Sequence, residues 1–188
     1  MRYYIYRTML VVFLACSLCA SLQAAPQSQP ASGAAVTGFR GEFLQLLDDV
    51  EDKLVSLAGA VPAEKYGWRP AEGVRSISEV YMHIAGGNYL LPSFMGATPP
   101  QKITQETEKT VTDKAKIIET LKQSFDYLRQ VTLKTSDADL DKKTNIFGKD
   151  ATYREVMLII SNHCHEHLGQ SIAYARMNGV VPPWSAAQ

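Results

Sequence analysis

Three of the chain's four histidines fall within five residues, in Ser161-Asn-His-Cys-His-Glu-His167, and the fourth, His83, stands far upstream. His163 and His167 are spaced i, i+4, which on an α-helix puts both imidazoles on one face about one turn apart. Two neutral imidazoles at that separation can bind one transition-metal ion, and a third from another helix completes a three-histidine site. A lone histidine on an apolar face is more simply a hydrogen-bonded core residue. Three buried imidazoles together are costly without partners, and a metal removes that cost by using their lone pairs. Such a set leaves a divalent ion its full charge and an open position for water or a substrate thiolate. Imidazole suits Zn, Ni, Cu and Fe, and a divalent transition metal (Zn, Ni or Fe) is expected on His83, His163 and His167. The same set can also serve a purely structural ion.

The neighbouring residues carry weaker signals. His165 lies about 200° around the helix from His163 and should face outward. Cys164 points about 100° away and reads as a small buried apolar residue. Glu166 also leaves the ligand face, so no His-Glu-x-x-His pattern is present. Glu79 stands i, i+4 with His83 as a possible ligand or base, although helix capping explains it adequately. Gln170, one turn beyond His167, could orient a ligand or bound water. Tyr81, Tyr89 and Tyr174 could line a pocket or simply fill the core.

The elements that must position these residues are helices. Phe39, Phe43, Leu46, Leu47, Val50, Leu54 and Leu57 recur at three- and four-residue steps and mark a first amphipathic helix. Ser76-Ile-Ser-Glu79 is a capping-box pattern that opens a second, with Val80, Ile84 and Leu91 on its apolar side and His83 on or beside that stripe. A third is expected from about Thr110 to Leu133, with Ile117, Leu121, Phe125 and Leu128 on one face. Residues 136–150 read as a polar loop with a short turn near Asp137–Leu140. Thr152-Tyr-Arg-Glu155 is a second capping box and opens the fourth helix, which Asn178-Gly179 and Pro182-Pro183 close. Its inward stripe reads Val156, Ile160, His163, His167, Gln170, Tyr174. Four long helices and no credible strand run point to an all-α four-helix bundle.

Residues 1–24 carry Arg2 and Arg7, then the apolar run Met9 to Ala15, then small residues around Ala24. This is the layout of a secretory signal, and the apolar run is well short of the roughly 20 residues a membrane-spanning helix needs. An exported, periplasmic or secreted protein is expected, with no stable span in the mature chain. The alternatives are a membrane anchor through a retained N-terminus, or a lipid anchor at the loose lipoprotein box Phe13-Leu-Ala-Cys16. Residues 25–36, rich in Pro, Gln, Ser, Gly and Ala, read as a disordered linker, and residues 37–184 as one domain. The whole chain holds 19 basic and 19 acidic residues. Loss of the two signal arginines leaves the mature chain mildly acidic, without a basic footprint for nucleic acid. Cys16 and Cys19 leave with the signal, so Cys164 has no internal disulfide partner.

Trp68-Arg-Pro70-Ala-Glu-Gly-Val-Arg-Ser76-Ile-Ser-Glu79 followed by His83-Ile-Ala resembles the second-helix signature of the DinB-like (DNA-damage-inducible) superfamily. His163-x-x-x-His167-Leu-Gly-Gln170, then Tyr174-Ala-Arg176 and Gly179-Val-Val-Pro182-Pro183, resembles its last-helix signature. The resemblance spans about Phe39 to Trp184. It implies an up-down-down-up bundle, often a homodimer, with a metal on His83, His163 and His167. It also implies a metal-dependent enzyme acting on a small-molecule or thiol substrate. Relatives include transferases and isomerases that use mycothiol, bacillithiol or glutathione. The export signal departs from that pattern, because such thiols are mainly cytosolic. The reading from another class is a non-catalytic binding or structural bundle in which any metal only fixes the helices.

Overall fold

The computed structural model describes residues 36–185; the expected signal and most of the expected linker lie outside them. Among the described residues, five helices, α1 (Gly38–Ala60), α2 (Ile77–Leu90), α3 (Gln105–Thr110), α4 (Lys114–Lys134) and α5 (Tyr153–Met177), make up the larger part. A hairpin of β1 (Lys143–Ile146) and β2 (Lys149–Thr152) precedes α5.

Both capping boxes form. The Glu79 amide donates to Ser76 Oγ (3.3 Å) and the Ser76 amide to the Glu79 carboxylate (3.2 Å). At α5 the Glu155 amide donates to Thr152 Oγ1 (3.2 Å) and the Thr152 amide to the Glu155 carboxylate (2.6 Å). Each box satisfies amides that the first helical turn leaves without partners. The two helices that carry histidines therefore start at defined residues.

Contacts at the helix ends set their directions. Lys114 Nζ, opening α4, donates to the carbonyls of Gly59 and Val61 at the end of α1. Arg40, opening α1, bonds Asp137 and the Thr135 carbonyl just past α4, so α1 and α4 are antiparallel. The Arg154 guanidinium, opening α5, lies 4.8 Å over the Phe39 ring, so α5 runs parallel to α1. At the opposite end Trp68 meets Tyr174 edge-on at 5.4 Å. The Trp68 carbonyl accepts from the amide of Ile77, where α2 begins, so α2 runs against α5. The result is an all-α up-down-down-up bundle in which α2 and α4 are parallel. Residues 91–113 form the long crossover that parallel neighbours require.

The core follows the apolar stripes closely. Ile117, Leu121, Phe125 and Leu128 are at most 1% exposed, and Phe43, Leu47, Val50, Leu54 and Leu57 at most 2%. Burial of each such side chain stabilises the fold by about 1.5–3 kcal/mol. Leu46, expected in the first stripe, faces solvent at 46% exposure. Tyr81, Tyr89 and Tyr174 are buried among the core residues.

Three elements differ from expectation. The third long helix starts at Lys114, capped by Asp113, and a separate short helix, α3, precedes it with Thr104 as its cap. The segment expected as a polar loop folds, beyond a 3₁₀ turn at Asp137–Asp139, into the β1–β2 hairpin. Its strands are four residues each and bury only Ile146 and Ala151, too little to make an alternating pattern. The core line of α5 runs through Val156, Ile160, Cys164, Ser171 and Ala175, and the histidines flank it half-buried.

The α5 cap is directly testable. Thr152→Ala should cost roughly 0.5–2 kcal/mol in urea unfolding, with unchanged helical circular dichroism below the transition.

Candidate metal centre

His83 comes from α2, and His163 and His167 from adjacent turns of α5. The three rings meet edge to face, with centroids 4.7 to 5.2 Å apart. One nitrogen from each lies within 4.8 Å of the other two. The three histidines expected as one site thus stand together, although they are separated by up to 84 positions. His165 faces solvent and bonds the Ser161 carbonyl (2.8 Å).

Hydrogen bonds orient two of the rings. His83 Nδ1 bonds Glu108 Oε1 at 2.9 Å, and His167 Nδ1 bonds Gln170 Oε1 at 2.8 Å. A carboxylate and an amide oxygen only accept, so both Nδ1 atoms carry the proton and both Nε2 atoms present lone pairs. Gln170 in turn donates to the Tyr174 hydroxyl (2.9 Å), which anchors this chain to the bundle wall. Arg75 holds Glu108 from the other side (2.9 Å). His163 Nε2 stands 3.4 Å from His83 Nε2, close to the edge of about 3.3 Å expected for two nitrogens on one tetrahedral zinc.

His163 is the least comfortable of the three. Its Nδ1 is buried without a hydrogen-bond partner. Burial first, then the neighbouring His167 and His83, push its pKa from 6.5 down to about 3. His167 is also lowered, chiefly by burial, with Gln170 opposing. Both rings are neutral at pH 7, as metal ligation requires. The His163 ring lies against Gly87, one turn after His83. A β-carbon there would overlap Cε1 and stand 2.8 Å from Nδ1. Glycine is what lets the two helices bring their imidazoles together. With Nδ1–H on His83 and His167, the Nε2 atoms of both rings carry lone pairs, and His163 can supply one proton at most. A cation among the three nitrogens resolves that mismatch, so the donor set fits a metal.

The other expected residues sort cleanly. Glu79 caps α2 and pairs with Arg69 (2.7 Å), away from the histidine group. Cys164 is in the core, where its thiol donates to Asn88 Oδ1 (3.3 Å) and burial pushes its pKa up to about 12. It is neither ligand nor nucleophile. Glu108, Arg75 and Gly87 were not singled out as site residues in the sequence. Glu108 sits in a polar six-residue helix with no apolar periodicity. Arg75 lies one residue before the capping box, within the motif already quoted.

Two cavities flank the histidines, with Glu108 in the wall of both. A cleft of about 510 Å³ is polar and lined by Arg69, Arg75, Gln105, Lys109 and Gln170. A cavity of about 320 Å³ opens on His83 and His163 and is otherwise mainly apolar.

The fold and the three-histidine group define a small helical bundle built around a potential metal centre. The pattern of the DinB superfamily matches residues 46–171, and the chain belongs to that superfamily. An uncharacterized Bacillus subtilis protein, YjoA, is 28% identical over 126 residues, covering 65% of this chain and 80% of YjoA. Among solved structures, a DinB-like protein from Bacillus cereus superposes with a TM-score of 0.69 at 18% identity, over 75% of this chain and 93% of that one. The YjoA structure gives 0.59 at 18% identity, over 73% and 92% of the two chains. A mycothiol-dependent maleylpyruvate isomerase gives 0.54 at 16% identity, over 71% and 62%. These likenesses establish a shared fold.

Two outcomes check this geometry. Gly87→Ala should displace the His163 ring and widen its 3.4 Å separation from His83, visible in a crystal structure of the variant. In metal-free protein, folded His163 takes up a proton only near pH 3, whereas the unfolded chain does so near 6.5. The unfolded state therefore binds the extra proton across that window, and stability falls as pH drops through it. Urea midpoints at pH 7 and pH 4.5 should differ less for His163→Phe than for wild type.

Proposed function

We propose that the protein is a metal-dependent enzyme of thiol-transferase or hydrolase type, with His83, His163 and His167 holding one divalent transition metal (Zn, Ni or Fe). The observation that carries this reading is the convergence of three imidazoles, each offering a nitrogen within 4.8 Å of the other two, that share too few protons to satisfy one another. When bound, an ion on three neutral nitrogens lowers the pKa of a thiol or water at its remaining position. Glu108 and Gln170 keep the His83 and His167 rings in the tautomer that ligation needs. Arg75 holds the Glu108 carboxylate in place beside His83. Arg75 and Lys109, in the polar cleft, suit the carboxylate-bearing end of a small thiol. The mycothiol-dependent isomerase of the same fold makes a thiol the first co-substrate to try.

A non-catalytic reading draws on one observation: Glu108, the carboxylate beside the histidines, is already engaged by both His83 and Arg75. In that case the metal would only pin α2 to α5. The proposal extends to export, which rests on the basic, apolar and small-residue order of residues 1–24, and to a homodimer, which rests on the family resemblance. No described helix is long and apolar enough to cross a membrane.

Elemental analysis of the purified chain should find near-stoichiometric metal, lost in the His163→Ala/His167→Ala double variant. Glu108→Gln should weaken metal affinity by roughly 10–100-fold. In cobalt-substituted protein, added thiol or azide should shift the visible spectrum. An unchanged spectrum would favour the structural metal, and metal-free protein after reconstitution with each ion would sink both readings.

A further inference from the structure

Three of the largest exposed apolar side chains converge on one place. Phe147 (70% exposed), Leu90 (49%) and Ile159 (37%) all line the 320 Å³ cavity that opens on His83 and His163. They come from the hairpin tip, the end of α2 and α5, three separate elements. Scattered exposed apolar residues need no explanation, but a contiguous apolar surface around a cavity marks a binding site. Gly86 and Gly87 contribute no side chains to it, so the cavity reaches the α2 backbone beside the imidazoles.

Phe147 adds a second, independent observation. It is the only non-glycine residue in the left-handed region among those described, with φ 51°, and Gly148 follows at φ 86°. The Ile146–Lys149 pairing makes this a two-residue turn with positive φ at both positions, where Asn-Gly is the unstrained choice. A bulky aromatic there is disfavoured. Its ring is not idle: it packs against Phe94 at 4.9 Å, and the Thr144 hydroxyl ties the hairpin to the Phe94 carbonyl. These contacts hold Phe147 as a wall of the cavity.

We propose that this cavity binds the hydrocarbon part of a small amphiphilic substrate whose polar, metal-seeking head lies at the histidines. Phe147 and Ile159 set the tail length that is accepted. Only the placement of the head rests on the metal reading; the tail site stands on the cavity itself. The polar cleft lined by Arg75 and Lys109 shares Glu108 with this cavity.

The test is a series of straight-chain alkylhydroxamates, from acetohydroxamate upward, titrated calorimetrically into the full chain with and without zinc. Affinity should rise about three- to fourfold per methylene until the tail outgrows the cavity, with a similar slope in both forms. Ile159→Trp, which fills the cavity, and Phe147→Ser, which removes one wall, should each flatten that slope. Both positions are exposed, so folding should survive, which circular dichroism checks. A slope near zero in wild type, or one that both variants leave unchanged, overturns the proposal. If zinc leaves acetohydroxamate binding unaltered, the metal reading fails instead, while the slope in metal-free protein still decides the tail site.

Discussion

Three imidazole rings packed within 5.2 Å of one another cannot satisfy each other's lone pairs, and much of the surrounding structure is arranged around that mismatch. Partial burial limits the water that can hydrate them. Two of the rings are then committed to one tautomer by Glu108 and Gln170, and the third is pressed onto bare backbone at Gly87. Each of these features makes the group worse as a self-contained core and better as a ligand set. Such local conflict with ordinary packing rules is characteristic of functional positions.

The bundle divides its labour between helices. The antiparallel pair α2 and α5 carries every histidine of the group, together with Gly87 and Gln170. Helices α1 and α4 contribute none of these residues and supply apolar bulk instead. Arg129 on α4 ties that pair together, reaching Asp48 (2.9 Å) and Glu51 (2.6 Å) on α1. Asn88 and Ser124 join α2 to α4 through a buried hydrogen bond (3.0 Å). The site-bearing pair is therefore held from behind by a scaffold with no chemistry of its own, an arrangement suited to keeping ligands in register.

The long helices and the three ligand candidates were legible in the sequence for physical reasons. Period-3.6 stripes and Ser/Thr-x-x-Glu boxes report directly on helices, and His163 and His167 share a face by spacing alone. What was not legible depended on tertiary contact. Glu108 acts from a helix of six polar residues whose place is set by Arg75 and His83, not by periodicity. The hairpin has strands too short for an alternating pattern, and its turn places Phe where Asn would be recognised. The inner stripe of α5 was read one residue line off centre, because imidazole in a core-facing series looks apolar. Cys164, between two histidines in sequence, belongs to the core because a helix rotates by about 100° per residue.

The short helix α3 gives the site a second level of stability. A six-residue helix does not hold itself together in water, and its cap at Thr104 satisfies only one of its free amides. Its inward anchors are Glu108, which is 7% exposed, and the apolar flanks Ile103 and Val111, which pack on the core. Within α3 only Glu108 is buried, so this helix belongs to the part of the protein that can unfold locally while the bundle stays closed. Each such excursion takes away the acceptor that orients His83. The ligand set is thus held on one side by a 25-residue helix of the bundle and on the other by a six-residue helix that can open on its own.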